Sequence, residues 1–203
     1  MTQQQKTHRL AVAAMLTAVA AVLQFVEFAI PLMPSFIKLD ISDLPALLGT
    51  FSLGPVYGVA IQLAKNLLHL PFGSSAGVGE LSNFILGAVF VFVAGIIYKH
   101  NKSRKSALVG SVAGAASMAL VSIVTNYFIV YPAYVVLYKL PLEAIVGMYE
   151  AILGGVSHVP TQNALLNCLL VFNVPFTLVK GLLDAVLCMV IYKPLSPILH
   201  GRK

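Results

Sequence analysis

The sequence predicts an all-α integral membrane protein. It reads as six transmembrane helices, with N- and C-termini cytoplasmic and ordered extracellular loops over a ligand pocket. Three observations carry this. Of 203 residues, 59% are hydrophobic and only 10% are charged, where a soluble domain carries about 25% charge. The mean hydropathy is +0.90. The few cations cluster between long apolar runs. Such a composition cannot supply a polar shell, which excludes a disordered chain, a nucleic-acid binder and an ordinary soluble enzyme. The formal charge of +6 comes from 13 Lys+Arg against 7 Asp+Glu. Its placement therefore matters more than its sum.

A spanning helix needs about 20 apolar residues. Leu10 to Ile30 is interrupted only by Gln24 and Glu27. No cleavable signal is evident, so this run reads as a retained membrane helix. Leu44 to Leu70 reads as one crossing or two short ones, with a Gly54–Pro55 break and Lys65 near its end. Leu81 to Tyr98 is uncharged, and so is Ala107 to about Leu137, which exceeds one crossing. Val174 to Tyr192 holds Lys180 and Asp184.

Charge decides the ambiguous stretch. Lys6 and Arg9 precede the first run. Lys99, Lys102, Arg104 and Lys105 follow Tyr98, and Lys193, Arg202 and Lys203 close the chain. With basic segments cytoplasmic, the chain between the first two clusters crosses an even number of times. Gly54–Pro55 then separates two short helices. The expected spans are about 10–30, 44–53, 56–70, 81–98, 107–131 and 174–192, in a single membrane domain over 1–203.

Three segments then face outward: 31–43, 71–80 and about 138–173. The first is rich in prolines and acids, including Asp40 and Asp43. The second is a small-residue loop, Pro71–Glu80. The third holds an amphipathic stretch, Leu142–Ile152, with Glu143 and Glu150. It continues through Gly154, Gly155, Ser157, His158 and Pro160. Long outer loops over short helices predict a pocket with a lid; plain connecting loops are the alternative.

A charge at the bilayer centre costs at least about 2.5–3.5 kcal/mol, so Lys65, Lys180 and Asp184 stand out. Lys180 and Asp184 are four apart and share a helix face. They read as a pathway or site, or as a mutual ion pair. Lys65 faces the interior or snorkels to the outer interface, with Glu27, Asp40 and Asp43 as anchors. Asn126 needs a partner in lipid. Tyr127, Tyr131 and Tyr134 make either an interfacial belt or a ligand platform. Glu80 and Asn83 open the fourth span, where an acid suits the helix dipole. Ala14 and Ala18 form a small-residue face that admits another helix, in this chain or another. Cys168 and Cys188 read as small buried hydrophobes.

No G-x-x-x-x-G-K-[ST] loop is present, so ATP is not bound in that manner. No H-E-x-x-H or paired Cys/His spacing offers a metal site. No G-x-S-x-G is found, and nothing around Ser74, Ser75 and His158 favours a protease. A small pump with this sequence needs energy from elsewhere; otherwise it is a channel or binder.

The run Phe25–Pro45 (FVEFAIPLMPSFIKLDISDLP) resembles the first loop of energy-coupling factor (ECF) transporter S components. Leu53-Gly-Pro, Lys65-Asn66, Gly79-Glu80 and Asn83-Phe84 follow in the same order. Asn126–Tyr134 (NYFIVYPAY) and Pro175–Gly181 (PFTLVKG) complete the match, and together these motifs resemble the riboflavin-specific S components. The resemblance covers about Arg9 to Tyr192. It implies a subunit that binds riboflavin near the outer face of a bacterial cell membrane. It also implies as partners a membrane T component, docked through Ala14 and Ala18, and two cytoplasmic ATPases, with toppling of the subunit to turn the pocket inward.

By the same resemblance Asn126, Thr177 and Lys180 hold the flavin, and Asp40, Gly79, Glu80, Asn83 and Lys65 join the substrate-binding candidates. The family pattern has Asn in place of Thr177. A Thr hydroxyl donates and accepts one bond but lacks an amide's paired donor and acceptor. Isoalloxazine is flat, mostly apolar and edged with carbonyls, which suits ammonium and amide donors between apolar walls. The small residues Gly77 and Gly79 allow close backbone approach, with loop 31–43 closing the mouth. No cofactor or metal is implied. The alternatives are an S component for flavin mononucleotide (FMN) or another vitamin, or a small membrane enzyme or channel with a Lys180–Asp184 relay.

Overall fold

The computed structural model describes residues 2–31, 33–34, 37–73, 75–152 and 163–200, with side chains through Leu195. Ser74, the stretch holding Gly154, Gly155, Ser157, His158 and Pro160, and the terminal Arg202 and Lys203 lie outside the described residues. Helix α1 spans Gln3–Phe25 and opens on a capping box between Thr2 and Gln5. Beyond it, β1 (Phe28–Ala29) pairs antiparallel with β2 (Lys38–Leu39), Phe28 opposite Leu39. The fold is therefore mostly helical rather than all-α. The last residues of the first apolar run leave the helix, and their backbone groups are satisfied across this short ladder.

Helices α2 (Asp43–Leu53) and α3 (Pro55–His69) are separated at Gly54. Gly54 has φ +112°, a conformation costly to any residue with a Cβ. Pro55 begins α3, where a missing N–H leaves nothing unsatisfied. Helix α4 (Val78–His100) follows, then α5 (Arg104–Thr125), which Ser103 caps by accepting from the Ser106 N–H. A π-helical segment, Asn126–Val130, joins α5 to α6 (Tyr131–Tyr138) without a break. Helix α7 covers Leu142–Ile152. Helix α8 (Ala164–Cys168) passes through a second π segment, Leu169–Asn173, into α9 (Val174–His200). Each π segment is followed within two residues by a proline, Pro132 or Pro175. The ring carries no N–H and crowds the preceding turn, so the helix widens there rather than ending. Among the described residues, four helical stretches are long and apolar enough to cross a membrane: Gln3–Phe25, Val78–His100, Arg104–Tyr138 and Ala164–Leu195.

Successive helices from α1 to α5 alternate in direction, so α1 and α3 run parallel. Arg9, early in α1, bonds the Leu53 carbonyl at the end of α2. Gln24, late in α1, donates to Asn66 late in α3 at 3.1 Å. Phe51 stacks near Tyr98 and Tyr192 at centroid distances of 4.8 and 6.3 Å. One pole thus gathers the start of α1 and the ends of α2 and α4, beside the basic residues 99–105. At the other pole α1, α3 and α5 finish while α2, α4 and α9 begin.

The core toward the basic pole is apolar: Leu47, Ile61, Phe90, Ala94, Ala115, Met118 and Cys188 are nearly fully enclosed. Here α4 and α5 nearly touch. A Cβ on Gly114 would sit 2.5 Å from the Phe90 carbonyl oxygen, so no side chain fits without moving a backbone. A second cluster, with Tyr131, Ile145, Tyr149, Leu165 and Leu169, lies under α7 at the other pole.

Candidate functional site

A cavity of about 370 Å³ opens at the second pole. The end of α1, the 37–43 segment, the end of α3, the start of α4, the end of α5 with α6, and the start of α9 all contribute to it. Its walls are apolar at Leu86, Met118 and Phe176 and polar at Asn83, Asn126 and Thr177.

On one side sits a four-member ionic cluster. Lys180 Nζ donates to Asp40 Oδ2 at 2.8 Å and to Asn83 Oδ1 at 3.4 Å, and lies 3.6 Å from Asp43 Oδ2. Lys65 Nζ donates to Asp43 Oδ1 at 2.5 Å and to Ser42 Oγ at 2.6 Å. Gln62 Nε2 adds a bond to Asp43 Oδ1 at 2.8 Å. The Ser42 N–H and hydroxyl both donate to Asp40 Oδ1. Two carboxylates thus meet two ammonium groups with few unused oxygens, as buried charges require. Asp43 also stands in the first turn of α2, where the dipole favours an anion. Burial alone raises the Asp40 carboxyl, but Lys180 and Lys65 outweigh it and hold it below its usual range.

This geometry decides between the alternatives that the residues left open. Lys180 does not pair with Asp184. Helical side chains lean toward the helix N-terminus, so Lys180 reaches toward the cavity and meets Asp40, carried in by the chain after β2. Asp184 is fully enclosed, and neither carboxylate oxygen has a hydrogen-bond partner among the described residues. Lys65 does not snorkel outward either; its exposure is 0%. It lies behind Asp43 and is not among the residues that line the cavity.

At the cavity rim, Glu80 Oε1 lies 2.9 Å from His69 Nδ1, and Glu80 Oε2 accepts from the Ser75 hydroxyl at 2.8 Å. The Gly79 N–H donates to the Ser75 hydroxyl at 2.9 Å. Lys38 and Glu27 form an ion pair on the same rim.

The sequence profile described as "ECF transporter, substrate-specific component" matches residues 8–192. This chain belongs to that family. The Riboflavin transporter RibU of Staphylococcus aureus is 33% identical over 192 residues, covering 95% of this chain and 92% of that protein. The Riboflavin transporter FmnP of Bacillus subtilis is 30% identical over 201 residues, covering 98% and 97%. A solved S component of a bacterial ECF transporter superposes with a TM-score of 0.72 at 34% identity, covering 97% of this chain and 99% of the other.

Among the S-component residues expected from sequence, Lys180, Asn126, Thr177, Asp40, Gly79, Glu80 and Asn83 all border the cavity. Lys65 supports them from behind. Gly77 does not border it; with φ +86° it caps α4 instead. Tyr131 and Tyr134 line the cavity, whereas Tyr127 does not; its hydroxyl accepts from Asn163 at 3.2 Å. Ala14 and Ala18 are exposed on α1, opposite the buried Val12, Leu16 and Ala20.

Sequence reasoning missed Asn173, because it fell in the stretch taken as an outer loop. It belongs to the π segment before α9, borders the cavity and is 4% exposed. Its signal was a stripe: 173, 177 and 180 follow the i, i+4, i+7 spacing of one helix face. Asn173 also closes a triad. The Tyr131 and Tyr149 hydroxyls bond each other, Tyr149 Oη donates to Asn173 Oδ1 at 2.6 Å, and Asn173 Nδ2 donates to Tyr131 Oη at 3.2 Å.

Proposed function

We propose that this S component captures riboflavin in the polar-sided cavity and delivers it through an ECF importer in a bacterial cell membrane. The observation that carries this is the cavity itself. It sets one ammonium and a group of amide and hydroxyl donors, from Lys180, Asn126, Asn173 and Thr177, against apolar walls. That suits a flat ring system edged with carbonyls. The similarity to riboflavin transporters supports the choice of vitamin. Riboflavin is favoured over FMN because the lysines at and behind the cavity lining are already paired with carboxylates, Lys180 with Asp40, Lys65 with Asp43 and Lys38 with Glu27, and Glu80 adds a further acid to the lining, which disfavours a phosphate.

In this reading α2 and α3 complete a set of six crossings as two short helices. The basic pole is cytoplasmic with both termini, and the cavity faces outside beside the 37–43 segment. A T component and two ATPases supply the energy. The exposed Ala14–Ala18 face of α1 is the docking surface, since close helix approach in lipid rests on small residues.

Two measurements test the proposal. Protein purified in detergent is expected to be yellow, or to quench riboflavin fluorescence on titration; a colourless protein that leaves riboflavin fluorescence unchanged refutes the ligand. Ala14→Trp is expected to leave riboflavin binding intact and to abolish uptake when the partner subunits are co-expressed. Loss of binding with assembly retained would instead make α1 a cavity wall.

A further inference from the structure

Tyr149 does not line the cavity, yet its hydroxyl is tied to a residue that does. The proton count of the triad follows from chemistry alone. An O···O distance of 2.6 Å suits O–H···O, and an N···O distance of 3.2 Å suits N–H···O. The Asn173 amide oxygen therefore faces Tyr149, and its NH2 faces Tyr131. A phenol has one proton. Tyr149 spends it on Asn173 Oδ1, so the bond between the two hydroxyls must be donated by Tyr131. Tyr131, having given its proton, accepts from Asn173 Nδ2. The ring of bonds runs in one direction. It leaves one proton of the Asn173 amide with no hydrogen-bond partner among the described residues, on a side chain that borders the cavity.

Resting on the riboflavin reading above, we infer that Tyr149 is a positioning residue for the ligand: its hydroxyl locks the Asn173 amide so that a donor N–H, and not the carbonyl, is presented to the bound molecule. The ligand atom met there is an acceptor, such as a flavin carbonyl or ring nitrogen. Without the Tyr149 proton, nothing in the triad selects the amide orientation. The flipped amide offers an acceptor to an acceptor. Tyr149 lies on α7, so the amphipathic helix between the last two long helical stretches acts on affinity without touching the ligand. Its ring also packs on Phe172, with centroids 5.2 Å apart, which Phe in its place retains.

The test is a double-mutant cycle read by riboflavin titration, with melting followed in parallel. Tyr149→Phe is expected to weaken binding about tenfold. Asn173→Ala is expected to weaken it at least as much. Adding Tyr149→Phe to Asn173→Ala should then change affinity by less than about twofold, because the lock has nothing left to hold. Asn173→Asp keeps an acceptor for Tyr149 but has no N–H, and is expected to bind as poorly as Asn173→Ala. If Tyr149→Phe binds like the parent, or its loss multiplies with that of Asn173→Ala, the inference is overturned while the riboflavin reading stands. Should Tyr149→Phe fail to fold, parent-like binding by Asn173→Asp overturns it. If the parent itself does not bind riboflavin, the functional reading fails first, and the inference falls with it.

Discussion

The two poles of this bundle are held together by different physics. Toward the basic pole, helices meet through small residues and dispersion: α5 presses on α4 at Gly114, and Ala94 and Ala115 leave no gap. Toward the cavity, buried ions and hydrogen bonds join the 37–43 segment, α3, α4 and α9 instead. Apolar packing in lipid has no hydrophobic drive behind it, so it needs close approach. Ionic packing tolerates space, because its attractions reach further, but each charge depends on its partner. The cavity lies at the second pole, and damage at each pole should look different.

The largest effect is expected from Lys180→Met. It strips Asp40 of its nearest cation, and loss of one partner from a buried pair costs about 3–5 kcal/mol. Riboflavin binding should fall by more than about 100-fold, with a lower melting temperature. A variant that melts lower yet binds like the parent would confine Lys180 to a structural role. Gly114→Val is expected to cost about 1–3 kcal/mol or more through overpacking, seen in melting, while the folded fraction keeps parental affinity. A change in affinity there would show that the poles are coupled.

Acid should act only on the cavity pole. The folded Asp40 carboxyl lies below its ordinary value of 3.8. Its contribution is thus fully present above that value and is lost as pH falls through the depressed folded value. Melting temperature is expected to hold from neutral pH to about 4 and drop below it, and Asp40→Asn should flatten that drop. The smallest effect is expected from Thr177→Val. It removes one hydroxyl worth about 1 kcal/mol, a loss of about fivefold in riboflavin affinity. No loss on titration would leave Thr177 as wall only.

Much of this was open to reading from residues, but unevenly. Gly54–Pro55 announced the turn between α2 and α3, because φ restrictions are local. The costly cations Lys65 and Lys180 announced a polar interior, because burial of charge is expensive wherever it occurs. Pro132 and Pro175 carried a signal that went unread. A proline inside an apolar run distorts the helix, and here the π segments before both prolines bring Asn126, Tyr131 and Asn173 to the cavity.

The sequence alone determined the membrane character, the segregation of basic residues and the breaks between elements. These depend on transfer free energy and on backbone sterics of adjacent residues. Only the tertiary structure decided that Lys180 pairs with Asp40, 140 residues away, rather than with Asp184 four residues on. It alone joined Tyr131, Tyr149 and Asn173 into one ring of hydrogen bonds. Spacing says which residues share a helix face. Which charge meets which, and which proton goes where, depends on how separate helices pack, and no local rule contains that.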